Sequence, residues 1–298
     1  MIQVENLTRA FGPTLAVDDI SFQVDRGEVV CFAGKNGAGK STTMRMLTGA
    51  LGVTQGVARI GGFDVARQAR QVQRIVGYLP EAPPLYLDMS VRAYLTYCAR
   101  LKRAANPHDA VATVIGRTGL ASVEHRLLGN LSKGYRQRVG IAQALVHQPQ
   151  VLILDEPASG LDPAQRVEIR QLVQELAQGD VTVILSTHVL PEVEAICGRV
   201  IVIDRGRIVA SDSLAALSAE GTSIRLRVAR PDERLMAALV AIEGVTAVSD
   251  EGDGRVQIAA ANDVREAVAH AAVGFGLLEL GGSRGLEDVY LQLTGGAP

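Results

Sequence analysis

One stretch, GKNGAGKS at 34–41, constrains this chain more than any other. It fits the pattern G-x-x-x-x-G-K-[ST] in full, directly after the apolar run GEVVCFAG and directly before the helical pattern KSTTMRMLTGAL. A strand that turns through glycines into a helix leaves backbone N–H groups free to curl around phosphate oxygens. The positive end of the helix points at the same anion. Within the loop, Lys40 has the reach for the terminal phosphates, and Ser41 offers a hydroxyl to Mg²⁺. The strand and helix flanks separate this from a chance glycine-rich turn.

A phosphate loop of this kind needs a parallel sheet behind it, and the rest of the pattern supplies one. Half-buried strands read at IQVENL and ISFQV near the start, and apolar strands at VLILDE, VTVILSTH and RVIVID further on. Helical patterns separate the later strands, at PAQRVEIRQLVQELA and LPEVEAIC. Strands alternating with helices predict an α/β fold with a parallel core sheet. The section from about Val91 to His147 is helix-rich. Beyond a small-residue, polar break at Ala216 to Thr222, the order β-α-β-β-α-β restarts as a ferredoxin-like α+β unit, and a last helix is expected at LEDVYLQL.

VLILDE carries the second half of the site. Two acids ending a strand are by themselves most often a turn or a helix cap. Paired with the phosphate loop, Asp155 is placed to hold the Mg²⁺ shell and Glu156 to orient or deprotonate the attacking water. The strand one βαβ unit later ends in His188, which then faces the same phosphates and keeps the γ-phosphate and water in register.

The cluster LSKGYRQR at 131–138 reads first as an ordinary helix start. Ser132 is a good N-cap, and Val139, Ala142, Leu145 and Val146 form one apolar face.

Composition excludes several classes. With 298 residues, 47% apolar and 21% charged, the chain has room for two cores. A formal net charge of −2 gives no polyanion-binding surface, so no nucleic-acid partner is expected. No apolar run reaches the roughly 18 residues that would span a bilayer. The opening MIQVENLTRAF lacks the basic start and apolar middle of a signal peptide. Cys31, Cys98 and Cys197 are odd in number and widely spaced, which argues for a reducing compartment without disulfide or zinc.

Taken in order, GKNGAGKST, LSKGYRQR, VLILDEP, SGLD and STHVL resemble the ATP-binding subunit of ATP-binding cassette (ABC) transporters over about Ile2 to Ala216. The resemblance implies a P-loop cassette at 1–218 with an N-terminal antiparallel β subdomain and an inserted helical subdomain at about 88–148. An accessory domain follows at 222–298. ATP and Mg²⁺ are the implied ligands, with Gly34, Asn36, Gly37, Ala38, Gly39, Lys40, Ser41 and Thr42 around the phosphates. Lys40, Glu156 and His188 are the implied catalytic set, and Ser41, Asp155 and Glu81 the metal set. In such proteins Ser132 and Gly134 cover the γ-phosphate held by a second subunit, and Asp162 sits in that interface. Phe11 matches the position where an aromatic ring stacks on adenine, although a core phenylalanine would read the same.

Two positions depart from the family pattern. Lys133 and Tyr135 replace Gly and Gln in the signature, and Glu81 in VGYLPEAPPLY stands where a glutamine usually touches Mg²⁺ and water. The extra carboxylate implies steeper metal dependence. GYLPE and the ending LEDVYLQLT look most like the ABC-2 exporter branch, and in particular the gliding-motility-associated ATP-binding subunits. That implies separately encoded membrane permease subunits, a second copy of the ATP-binding subunit, and a peripheral position on the cytoplasmic face of the inner membrane. The loop APPLYLDMS and the helix after it would receive the permease's cytoplasmic helix. The alternative, a soluble cassette ATPase acting on ribosomes or nucleic acid, would carry two cassettes or a long coiled-coil insertion, and this chain shows neither. DEGDG at 250–254 faintly resembles a calcium loop but sits between two strands as a hairpin turn. The remaining histidines show no ligand spacing, and ARQARQVQR reads as a short solvated helix face.

Overall fold

The computed structural model describes residues 1–214, 216 and 222–282. The expected helix LEDVYLQL lies outside them, as does most of the 216–222 break. Two compact units result, Met1–Ser211 and Asp212–Pro298.

The first unit is layered around a six-stranded sheet of order β10-β9-β3-β8-β7-β6. Its central strands are β3 (Val29–Ala33), β7 (Val151–Asp155), β8 (Thr182–Thr187) and β9 (Arg199–Asp204), with β10 (Arg207–Ser213) and β6 (Val76–Leu79) at the two edges. The pairings of β3 with β8 and β9, of β7 with β8 and of β6 with β7 are parallel. All of β7 and β8 is buried. Their unbroken apolar runs follow from being covered on both faces. A second, antiparallel sheet has the order β2-β1-β4-β5, built from β1 (Ile2–Phe11), β2 (Thr14–Val24), β4 (Gln55–Ile60) and β5 (Phe63–Asp64). Between the sheets runs α1 (Lys40–Leu47), whose Met44, Met46 and Leu47 share one core with Ile2 and Leu7 of β1 and Val30 and Phe32 of β3. The Phe22 and Phe32 rings meet at 5.5 Å across this layer.

Sequence periodicity extends α1 to Leu51, but the structure stops it at Leu47. Gly49 takes φ +69°, a left-handed conformation that glycine adopts without a Cβ penalty, and this ends the helix. Helix α2 (Ala69–Ile75) precedes the helix-rich section, which contains α3 (Val91–Leu101), α4 (Pro107–Arg117) and α5 (Lys133–Leu145). As the apolar spacing predicts, α5 buries Val139, Ala142 and Leu145, with Val146 just beyond. Two further helices, α6 (Pro163–Ala177) and α7 (Leu190–Ile196), return the chain to the sheet.

The second unit carries β11 (Thr222–Val228), α8 (Glu233–Val240), β12 (Val245–Gly252), β13 (Arg255–Ala260), α9 (Arg265–Val273) and β14 (Leu277–Gly281). Its sheet order is β12-β13-β11-β14 with β11 antiparallel to both neighbours, the split β-α-β arrangement that the element order predicts. Strand β12 runs three residues further than the VTAVS reading, because Gly252 pairs with Arg255 and leaves a two-residue Asp253–Gly254 turn. Both turn residues have positive φ, the geometry that favours an Asp-Gly hairpin. All three cysteines are buried, and none is in a disulfide.

Candidate functional site

The phosphate loop leaves β3 at Ala33 and enters α1 at Lys40. Glycine is required at two of its positions. A Cβ on Gly34 would sit 2.5 Å from the Ile203 carbonyl, and one on Gly39, at φ +111°, would sit 2.6 Å from the Ala16 carbonyl. The Ala38 N–H donates back to the Lys35 carbonyl at 3.1 Å, and the Ala38 carbonyl accepts from Gly206 N at 2.9 Å. The β9–β10 turn therefore braces the loop from behind.

Five functional side chains converge in front of it. Lys40 is buried, and its Nζ donates to the Gly34 carbonyl at 2.7 Å and the Lys35 carbonyl at 3.2 Å. The same ammonium lies 3.2 Å from Glu156 Oε1, while Glu156 Oε2 lies 2.8 Å from His188 Nδ1. Ser41 Oγ donates to Asp155 Oδ1 at 2.9 Å. These residues come from the ends of β3, β7 and β8, the edge of a parallel sheet where ligands bind.

Glu156 itself is held in a left-handed backbone conformation, φ +48°. For a non-glycine residue that costs of order 1 kcal/mol or more and persists where the surroundings enforce it. Here the Glu156 N–H is shared between the Ser186 carbonyl (3.1 Å) and Ser186 Oγ (3.0 Å).

A cavity of about 400 Å³ fronts this cluster, lined by Asn36, Gly37, Gly39, Lys40, Ser41, Thr42, Glu81, Glu156 and His188, together with Ala16 and Ser159. Gly34 and Ala38 shape the loop from behind. Phe11, Ser132, Gly134 and Asp162 are not among the lining residues. Phe11 is 47% exposed at the end of β1, with the Arg9 guanidinium 4.5 Å from its ring centroid. It is thus neither a core residue nor a wall of the cavity. Ser132 caps α5 by accepting from Tyr135 N at 3.4 Å, and Asp162 caps α6 by accepting from Gln165 N at 2.9 Å. A Cβ on Gly134 would lie 2.8 Å from Gln165 Oε1, so the signature helix and the SGLD helix begin side by side.

Burial raises the Asp155 carboxyl above its ordinary range. Hydrogen bonds from Ser186 and Ser41 pull it down, and the nearby Glu156 and Glu81 carboxylates push it up. The residues fit Mg²⁺. Ser41, Asp155 and Glu81 present hard oxygen donors, and the crowding of their negative charge is what a divalent cation relieves. Among the described residues no group of three or more His, Cys, Asp or Glu side chains forms a metal cage. Mg²⁺ characteristically takes one or two carboxylates and completes its shell with phosphate and water, so this agrees with the donor set.

Sequence reasoning gave no role to Ser186, Ser159 or Ala16. Ser186 carried a usable signal, since it lies two residues before His188 on the strand that pairs with β7.

The family model described as ABC transporter matches residues 17–159. The ATP-binding protein YdbJ of Bacillus subtilis (strain 168), described as an uncharacterized ABC transporter ATP-binding protein, is 34% identical over 99% of this chain and 95% of its own length. The chain belongs to the ABC transporter ATP-binding proteins. Linearmycin resistance ATP-binding protein LnrL of Bacillus subtilis (strain 168) is 32% identical over 99% of this chain and 98% of its own. Among solved structures, cbiO1 from Clostridium perfringens, part of the ABC transporter complex cbiONQ, superposes with TM-score 0.65 at 30% identity, covering 71% of this chain and 88% of that one. The fold is the ABC cassette, and the chain is an ABC-type ATPase that binds ATP. ATP-binding subunits of this family dimerise and pair with membrane components. Among the described residues no helix is long and apolar enough to cross a membrane.

Proposed function

We propose that this chain is the ATP-hydrolysing subunit of an ABC-2 type exporter, similar to the gliding-motility-associated subunits. It would act as a head-to-tail homodimer on separately encoded permease subunits, at the cytoplasmic face of the inner membrane. Residues 1–218 would form the cassette, with its helical subdomain at about 88–148, and 222–298 an accessory domain. The observation that carries this reading is the division of the site. Lys40, Glu156 and His188 line one cavity, while Ser132 and Gly134, the second anion-binding helix start, stand outside it. A second copy brings that helix start over the phosphate, and two-fold symmetry completes both sites at once. The full-length likeness to a linearmycin resistance ATP-binding protein supports the exporter reading.

In this reading the triphosphate takes the place of Glu156 on the Lys40 ammonium. Glu156, released from that ion pair and steered by His188, accepts the proton of the attacking water as the terminal P–O bond breaks. His188 holds the water and the γ-phosphate in line. Bound Mg²⁺, held by Ser41, Asp155 and Glu81, would neutralise phosphate charge.

The test is Glu156→Gln. With ATP and Mg²⁺ it should run as a dimer by light scattering and lose roughly 10²-fold or more in turnover. A monomer at saturating ATP would overturn the proposal.

A further inference from the structure

A cavity of about 540 Å³ shares no lining residue with the one at the phosphate loop. Arg74 of α2, the 102–106 turn after α3, the first turns of α4 and the 146–148 segment after α5 wall it. Three of its lining residues are cationic, Arg74, Lys102 and Arg103, and one is acidic, Asp109. Asp109 is already engaged, accepting from Asn106 Nδ2 at 2.6 Å. Arg74 and Arg103 are exposed and have no ion-pair partner among the described residues. Lys102 is half-buried, and its Nζ donates to the Gln143 carbonyl at 3.1 Å, a neutral acceptor that leaves the charge uncompensated. Burial pushes this ammonium down from 10.5 to about 8, so it stays mostly protonated at neutral pH.

The backbone that presents these groups is strained. Helix α3 stops at Leu101, and Arg103 takes φ +56° while Ala104 N–H donates back to the Ala99 carbonyl at 2.9 Å. This is the helix-ending position where glycine is the ordinary residue. Gln148, which also lines the cavity, takes φ +53° beyond the end of α5. Long side chains at left-handed positions cost stability that glycine would not, and such outliers gather where a ligand is held.

The walls limit what that ligand can be. Three cations against one acid leave an excess of two positive charges. His147 adds none, because its Nε2 donates to the Val76 carbonyl at 3.1 Å and burial pushes the ring down to about 4. Guanidinium groups match the oxygens of a phosphoryl group, and a phosphate monoester carries roughly −1.5 to −2 at pH 7. Ala104, Ala105, Ala110 and Val146 supply an apolar wall for a small organic part. No Phe, Tyr or Trp is among the described lining residues, so a nucleobase finds no aromatic ring to stack on.

We propose that this cavity binds a small phosphate monoester, its phosphoryl group meeting Arg74, Lys102 and Arg103 and its organic part resting on the alanine wall. The site is separate from the ATP site and does not depend on the exporter reading.

The probe is glycerol 3-phosphate, titrated at pH 7.5 into the full chain with isotope-labelled histidines. The chain has five histidines, so the ring signals resolve the two sites: His147 lines this cavity and His188 the phosphate-loop cavity. The His147 signals should move saturably, at concentrations that leave His188 in place. Succinate, which spreads two charges over two centres, should bind about tenfold more weakly. Arg103→Gly removes one cation and relieves the positive φ. It should raise the melting temperature while weakening the ester roughly 5–10-fold, a combination that a purely structural arginine would not give. Arg74→Lys should keep most of the affinity and Arg74→Ala should lose about as much as Arg103→Gly. Cosedimentation with phosphatidylcholine vesicles, with and without phosphatidate, then separates the sources. Retention on phosphatidate that Arg103→Gly removes assigns a lipid headgroup, and no retention assigns a soluble ester. An unmoved His147, movement of His188 alone, equal binding of succinate, or unchanged affinity in Arg103→Gly would overturn the proposal.

Discussion

Ser186 stands opposite Asp155 in the parallel β7–β8 register and donates its hydroxyl to Asp155 Oδ1 at 2.6 Å. Ser186 Oγ in turn accepts from Glu156 N, so one side chain fixes both acids at the end of β7. Removing it leaves a buried carboxylate short of a donor, a loss of about 1–3 kcal/mol. Ser186→Ala should lower the melting temperature by a few degrees and raise the Mg²⁺ concentration for half-maximal ATPase. Wild-type values for both would show that Asp155 is held by Ser41 alone.

Glu81 lines the cavity, and its charge pushes Asp155 upward. Without Mg²⁺ the tetra-anionic nucleotide meets this carboxylate as well as Asp155 and Glu156. Glu81→Gln removes one of the three charges. It should tighten metal-free ATP binding by roughly 3–10-fold, on the scale of one partly screened charge pair. Isothermal titration in EDTA reads this directly, and an unchanged or weaker affinity would contradict the repulsion argument.

How much of this was legible in the sequence depended on where the partner of each group lay. The phosphate loop, the acidic strand and His188 are local patterns whose chemistry fixes their neighbours, and the structure gathers Lys40, Glu156 and His188 in one cavity. Ser186 escaped notice because its importance lies in a cross-strand register, with Asp155 31 residues away. Phe11 could be read as a core residue or an adenine platform, and in the structure it is an exposed ring beneath Arg9. The end of α1 was hidden because a helical pattern continues past Gly49, whose positive φ breaks it.

Ser132 caps α5 outside the cavity, so its effect on ATP must come through a second copy if the proposed dimer forms. Ser132→Arg places a cation and extra bulk where that γ-phosphate would sit. ATP affinity of the monomer should stay within about twofold, while cooperative turnover should fall by roughly 10²-fold. Equilibrium binding of a fluorescent ATP analogue alongside steady-state ATPase separates the two. Loss of monomer binding would place Ser132 in its own chain's site.

His147 gives the fold an acid limit. Burial first, then the Lys102 ammonium, push its imidazole down from 6.5 to about 4, against a raising hydrogen bond to the Val76 carbonyl. Arg74, Arg103 and Asp109 line the same cavity. Between those two values the unfolded chain binds the proton and the folded one does not. The stability is therefore fully present above pH 6.5 and lost as pH falls toward 4, by about 1–2 kcal/mol after discounting for partial exposure. Lys102 is itself pushed down from 10.5 to about 8, chiefly by burial, so its contribution to stability rises with pH across that window. Lys102→Met removes the cation beside His147. The acid loss should shrink, and the rise between pH 8 and 10.5 should disappear. Melting temperatures of the two proteins from pH 4 to 10.5 check both ends, and parallel curves would show that His147 and Lys102 do not sense each other.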